Sequence, residues 1–237
     1  MNTVLITGAN RGLGLEFAKQ YSDDGWQVIA CCRSPDAADE LQQLAKHNKY
    51  AQIERLDVND FDAVDALAVK YSNQEIDVLL NNAGVIGALP IAENIERQFF
   101  GKMDYGLWAE VLRTNTFAPV KMAEAFLGNV AASEQKKIVS ISSSVGSIAE
   151  MSIPALAYAS SKSALNRVMT TIAGAVKDQG VTVALLCPGY AKTRMDVYGA
   201  AVMEVPESVS MLRNIIDKLT IADSGLFIGH DGRKIPW

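Results

Sequence analysis

Apolar runs of strand length recur along the chain with helix-length stretches between them, and this alternation leaves few folds open. The runs are TVLITG, WQVIACC, AQIERLDV, IDVLLNNAG, KIVSISS and VTVALLCPG. Each is short and rich in Val, Ile and Leu, the pattern of a strand buried on both faces. Helical patterns fall between them at 13–24, 36–47, 60–72, 105–131 and 157–178, the last closed by Gly180. Strand and helix in alternation predict an α/β fold, a Rossmann-type doubly wound parallel sheet with helices on both faces. No repeat, low-complexity tract or linker divides the chain, and 237 residues suit one domain spanning 1–237. Two segments interrupt the pattern: 85–104, with Pro90, Gly101, Phe99 and Phe100, and 190–218, which has no strand signal. Both follow strand ends at the carboxyl edge, where open α/β sheets bind ligands, so they are candidate lids.

Composition excludes several function classes. Hydrophobic residues make up 49% and charged residues 21% of the chain, as in ordinary globular proteins. The net charge of -5 comes without a basic run, so neither nucleic acid nor a membrane surface is an expected partner. Met1 to Gly8 lacks the basic and apolar regions of a leader, and no apolar stretch approaches the roughly 20 residues that span a bilayer, which predicts a cytoplasmic protein. Cys31, Cys32 and Cys187 lack metal-ligand spacing and read as small core residues; Cys31 and Cys32, adjacent on a strand, point to opposite faces. His47 and His230 have no Cys or HExxH-type partner, which argues against zinc or a His-based triad, and both read as surface residues. No metal is expected.

The first strand runs into TGANRGLG, with Gly8, Gly12 and Gly14 at the turn into a helix. Glycines there let the backbone approach a pyrophosphate, and the helix N-terminus offers unpaired N–H groups with partial positive charge. The spacing is G-x3-G-x-G rather than G-x-G-x-x-G, and here the chain resembles the short-chain dehydrogenase/reductase family. NNAG at 81–84 ends the fourth strand, Asn115 lies in the long helix, and serines follow the fifth strand. Tyr158 and Lys162 fit Y-x3-K, and Pro188, Gly189 and Thr193 fit PG-x3-T. YASSKSALN and the ending GLFIGHDGRKIPW resemble the branch that contains sniffer-like carbonyl reductases and bacterial C-factor proteins.

Several site assignments follow from the resemblance. Gly8, Asn10, Arg11, Gly12, Leu13 and Gly14 would surround the cofactor's phosphates, and Asp57 and Val58 would lie beside adenine, although Asp57 also suits a turn cap. Asn81, Ala83 and Gly84 would stabilise the sheet and shape the cofactor groove. Pro188, Gly189 and Thr193 would form the nicotinamide-side loop, with Thr193 near the carboxamide. Asn115 would help hold a water that links Lys162 to solvent, and Lys162 would also bond the nicotinamide ribose. A strand-end hydroxyl would bond the substrate carbonyl. Aligning IVSISS by its strand favours Ser143 and leaves the extra length to the loop VGSIAEMSIPAL, with Ser142 and Ser144 as alternatives.

Spacing alone suits any two polar residues on one helix face; it is the resemblance that implies a catalytic pair, and the chemistry shows why such a pair would be needed. Tyr158 and Lys162 stand at i and i+4, one helical turn apart on one face. A carbonyl reduced by hydride must gain a proton, and a free phenol, with a pKa of roughly 10, releases one reluctantly. A neighbouring ammonium is expected to lower that pKa toward neutrality, which makes Tyr158 the general acid.

CCRSP follows the second strand, where an NAD site would place Asp or Glu against the ribose 2'-hydroxyl. Arg33 stands there instead, with Arg11 inside the glycine turn. Two guanidiniums suit a 2'-phosphate, so the expected cofactor is NADPH (NADP). The predicted function is NADPH-dependent reduction of an aldehyde or ketone. The alternative is a C-factor-like signalling protein or cofactor sensor with little turnover. The expected partner is a small-molecule carbonyl compound, with Met151, Ile153, Phe99, Phe100, Tyr190, Met195 and Tyr198 as candidate apolar lining. The family's use of its long helices as interfaces implies a homodimer or homotetramer.

Overall fold

The computed structural model describes residues 1–150, 153–196 and 199–237. Its centre is a sheet of seven parallel strands in the order β3-β2-β1-β4-β5-β6-β7. The strands are β1 (Thr3–Thr7), β2 (Gln27–Cys32), β3 (Ala51–Arg55), β4 (Val78–Asn81), β5 (Lys137–Ile141), β6 (Thr182–Cys187) and β7 (Phe227–Gly229). The helices are α1 (Gly12–Asp23), α2 (Asp39–His47), α3 (Phe61–Lys70), the single turn α4 (Ile91–Asn94), α5 (Tyr105–Leu112), α6 (Ala118–Ala132), α7 (Leu156–Ala175) and α8 (Val205–Lys218).

The strands form where β-branched and aliphatic residues run together, and their two-residue period sorts them onto two faces. Leu5, Ile29, Leu79 and Ile138 point to one side, against Val64 and Leu67 of α3, Met122 and Phe126 of α6 and Leu165 of α7. Val4, Ile6, Val28, Ala30, Val78 and Leu80 point to the other, against Phe17 of α1, Leu41 of α2 and Leu212 of α8. Register in the centre is set by this burial: Val4 pairs with Val28 and with Val78, Leu5 with Ile29 and with Leu79. A slip of one residue would turn every apolar side chain to the wrong face. Cys31 and Cys32 fall on opposite faces, and all three cysteines are free and buried.

The sequence reading and the structure differ at five places. β3 is an edge strand in which only Ala51 is buried, so AQIERLDV is not buried on both faces. The seventh strand, inside LFIG, is too short for its apolar run to stand out. The predicted helix 105–131 is α5 and α6 joined through a π-helical turn at Arg113–Phe117. Residues 190–218 are not loop throughout, since α8 occupies the second half and buries Val209, Leu212 and Ile216 against the sheet. His230 is half-buried with its ring against Gly189, whereas His47 is exposed as expected.

Strand order reverses between β1 and β4, which opens a crevice beyond their carboxyl ends. At this point backbone meets backbone. A Cβ on Gly14 would lie 2.3 Å from the Gly8 carbonyl oxygen and 2.4 Å from Asn82 Nδ2. Gly14→Ala is therefore expected to destabilise the protein by about 1–3 kcal/mol or more, because the obstructing atom is main chain that cannot swing aside. Gly128, in α6, meets nothing within 4 Å of its added Cβ. Gly128→Ala should stabilise by about 0.5–1 kcal/mol through helix propensity alone. Urea denaturation of the two variants reads both signs, and a neutral Gly14→Ala would show that the turn has room to move.

Candidate active site

The crevice floor is two turns stitched together by side chains. The Thr7 hydroxyl accepts the N–H groups of Asn82 and Ala83, each at 3.0 Å. Asn82 Nδ2 donates back to the carbonyls of Thr7 at 2.9 Å and Gly8 at 3.2 Å. Gly8 takes φ of 67°, where a side chain would be strained, and its added Cβ would sit 3.0 Å from Ala83 Cα. Thr7 and Asn82 were not singled out from sequence, although both lie inside quoted motifs. Asn81 faces elsewhere: it is buried, with Nδ2 donating to Ser140 Oγ at 3.3 Å and to the Pro119 carbonyl at 3.4 Å. Asn10 and Leu13 are half-buried in the first turn, and Leu13 packs on the core under α1. Arg11, in extended conformation, caps α1 with its backbone.

α7 begins at Leu156 and carries Tyr158 and Lys162 one turn apart, as the spacing predicts. Lys162 is only 6% exposed, and its Nζ donates to the Ile141 carbonyl at the end of β5 at 2.9 Å. It lies 5.9 Å from the centroid of the Tyr158 ring. The Ser143 hydroxyl lies near enough to the Tyr158 phenol to oppose the rise in its pKa. Ser142 is instead committed to Asn166 Oδ1 at 2.6 Å, and Ser144 uses its N–H on Cys187 Sγ at 3.2 Å. Of the three serines, Ser143 has its hydroxyl near the phenol.

Burial sets the titration of the pair. Although Tyr158 retains partial exposure, desolvation of its phenol pushes its pKa up to about 12, with Ser143 opposing the shift. Desolvation pushes Lys162 down to about 8. The expectation that Lys162 draws the phenol toward neutrality is not met by the chain's own groups. The ammonium is held on the Ile141 carbonyl, and desolvation outweighs its pull.

Asn115 sits in the π-helical turn and is fully buried. Its Oδ1 accepts the Val85 N–H at 2.8 Å, and its Nδ2 donates to the Val85 carbonyl at 2.8 Å and to Ser161 Oγ at 2.9 Å. The side chain thus clamps the start of segment 85–104 to α7. Gln98, buried in that segment and not picked out from sequence, adds a second tie. Its Nε2 donates to the Ile86 carbonyl at 2.7 Å, and its Oε1 accepts the Tyr158 N–H at 3.0 Å. Gly84 borders the same space: its added Cβ would be 3.3 Å from Asn115 Oδ1 and 3.7 Å from Lys162 Nζ.

Two other arginines lie near enough to Arg11 to affect its titration. Arg33, exposed after β2, and Arg194, exposed in the loop after β6, each oppose the charge of Arg11, whose pKa is lowered first by burial and then by these two neighbours. Arg194 was missed because it lies just outside PG-x3-T. Thr193 itself rests against the glycine turn, its Cγ2 3.8 Å from the position of a Cβ on Gly12. Gly189 takes φ of 72° under the His230 ring, and the Pro188 carbonyl accepts the Ser208 hydroxyl at 2.7 Å. Asp57 caps a turn, accepting the Asn59 N–H at 2.9 Å, and Val58 is buried in the core. Of the candidate apolar lining, Phe99 and Ile153 pack beside Tyr158, whereas Phe100, Tyr190 and Met195 are exposed. Met151 and Tyr198 lie outside the described residues. Among the described residues no cluster suits a metal ion, and no helix is long and apolar enough to cross a membrane.

The sequence profile described as short chain dehydrogenase matches residues 2–201. Among solved structures, the NADPH-bound carbonyl reductase from chicken fatty liver is 30% identical with a TM-score of 0.90, covering 100% of this chain and 99% of its own. The carbonyl reductase Sniffer of Drosophila melanogaster is 30% identical with a TM-score of 0.88, each chain covered in full. C-signal of Myxococcus xanthus is 30% identical over 173 residues, 73% of this chain and 99% of its own length.

Gln98→Ala would leave the Ile86 carbonyl and the Tyr158 N–H without their partner. A loss of about 1–3 kcal/mol is expected in thermal or chemical unfolding. Unchanged stability would mean that water replaces the amide at no cost.

Proposed function

The chain belongs to the short-chain dehydrogenase family, and from that membership we propose that it reduces neutral, apolar aldehydes and ketones with NADPH, using Tyr158 as proton donor. The observation that carries the reading is the enclosure of one phenol, one hydroxyl and one ammonium at the carboxyl ends of β4 and β5, with Ser143 near Tyr158 and Lys162 held one helical turn away. The crevice fits a dinucleotide. Its floor is glycine backbone that a Cβ would obstruct, and two further guanidiniums lie near Arg11. Gly8, Asn10, Arg11, Gly12, Leu13 and Gly14 would take the pyrophosphate side, Asp57 and Val58 the adenine, and Arg33 the 2'-phosphate. Ala83 and Gly84 would shape the middle of the groove, with Asn81 bracing the sheet beneath it and Pro188, Gly189 and Thr193 on the side of the nicotinamide. When bound, the reduced nicotinamide supplies the hydride.

The chain's own residues supply the proton and its replacement. Ser143 orients the carbonyl oxygen, and Tyr158 gives up its proton as negative charge develops there. A phenol whose pKa is raised to about 12 keeps its proton throughout the neutral range, which suits a donor. The phenolate left behind is stabilised by the Lys162 ammonium, whose remaining N–H groups are available to the ribose. Asn115 has no free side-chain donor, so its part in a proton path runs through its main chain in the π-helical turn. Beside Tyr158 pack Phe99, Ile153 and Ile86, an apolar surround that favours apolar substrates.

The deciding experiment is a panel of neutral carbonyl compounds and keto acids assayed with NADPH and NADH on the wild type and on Tyr158→Phe. Loss of one hydroxyl from a packed site should cost on the order of 100-fold or more in turnover while NADPH still binds. Near wild-type rates in Tyr158→Phe would remove it from the mechanism. Binding of NADPH with no turnover on any compound would favour the second reading, a C-signal-like sensor.

The rate should also follow Lys162. Its pKa is lowered by burial to about 8, so the ammonium is present below that pH and lost above it. Reductive kcat/KM is expected to stay level through neutral pH and to fall as pH rises past 8. Lys162→Arg keeps its charge, so its smaller activity should lose this descending limb. A wild-type profile level to pH 10 would show that the charge is not required.

A further inference from the structure

We propose that Arg194 is a phosphate clamp, a specificity-determining residue that reaches from the loop after β6 to the glycine turn and binds a phosphate of the dinucleotide together with Arg11 and Arg33. The inference rests on the NADPH reading and adds to it a residue on the opposite wall of the crevice, outside the motifs that suggested the cofactor.

Placement comes first. Thr193 touches the glycine turn at Gly12, and Arg194 is the next residue, beside Arg11, the N-cap of α1. The loop that carries it is tied down. Ala191 forms a bridge with Met203, the Lys192 N–H donates to the Met203 carbonyl at 3.0 Å, and Lys192 pairs with Glu204. The Ser208 hydroxyl holds the Pro188 carbonyl at the loop's base. A guanidinium on such a loop cannot drift far from its neighbour.

Charge is the second observation. Arg55 pairs with Asp36, Arg97 with Asp104, Arg213 with Asp24 and Arg233 with Glu150. Among the described residues, the side chains of Arg11, Arg33 and Arg194 have neither an ion pair nor a hydrogen bond, although they stand close enough to repel. The arrangement is unfavourable until an anion enters, and the multiple acceptor oxygens of a phosphate match several guanidinium forks at once.

The cofactor offers two phosphate sources, the pyrophosphate and the 2'-phosphate, and comparison of NADPH with NADH separates them. Dissociation constants for both are measured by nicotinamide fluorescence on the wild type, Arg194→Ala and Arg33→Asp, with melting temperature as the control for folding. Arg194→Ala should weaken NADPH binding about 10-fold, the lower range for a hydrogen bond to a charged group, without a change in melting temperature. An equal loss for NADH assigns Arg194 to the pyrophosphate, and a loss confined to NADPH assigns it to the 2'-phosphate; either supports the clamp. Unaltered constants for both dinucleotides in Arg194→Ala, with Arg33→Asp still weakened toward NADPH, would overturn the clamp and leave the NADPH reading standing. A wild type that binds neither dinucleotide would bring down that reading itself.

Discussion

The site depends on close contact between two stretches of backbone where β1 and β4 end. The carbonyl of Gly8 lies where a side chain on Gly14 would have to be, and Thr7 and Asn82 lace the two turns together with hydrogen bonds at 2.9–3.2 Å. This contact places the start of α1 over the sheet edge and leaves main chain rather than Cβ atoms at the glycine turn. A groove floored by main chain can admit a ligand's phosphates to N–H groups that a Cβ would otherwise keep at a distance. α7 meets the sheet beside it, where Lys162 is held on the carbonyl of Ile141 at the end of β5, the neighbour of β4.

Burial then governs the chemistry. The phenol of Tyr158 and the ammonium of Lys162 are shifted in opposite directions by one cause, the loss of water, and each moves toward its neutral form. The result is a tyrosine that holds its proton and a lysine close to releasing one. The loop 85–104 takes part through its anchors: Asn115 grips Val85, and Gln98 joins Ile86 to the Tyr158 backbone. Movement of that segment would be transmitted directly to the first turn of α7.

The sequence patterns were informative where a residue's surroundings come from its own segment. Tyr158 and Lys162 were picked out by the order of motifs around them, since helical spacing alone puts any such pair on one face, and the glycine turn was legible because its backbone favours glycine. The edge character of β3 and the packing of α8 were not legible, since both depend on which elements lie beside them. α8 carries its apolar residues at helical spacing, yet the loop chemistry before it obscured the pattern. Asn115 was located, but the saturation of its amide by Val85 and Ser161 could not be read from its position in a helix.

By itself the sequence determined the fold class, the family and the glycine turn, and placed Tyr158 and Lys162 one helical turn apart, because each is written in local periodicity, in the order of motifs or in a residue type suited to a special backbone. Tertiary structure alone decided which serine lies near the phenol, that Asn82 rather than Asn81 closes the crevice floor, which way the titrations of Tyr158 and Lys162 are displaced, and that Arg194 comes near enough to Arg11 to oppose its charge. These outcomes rest on distances between segments far apart in the chain and on the exclusion of water from between them. Neither exists until the sheet has brought its strand ends together.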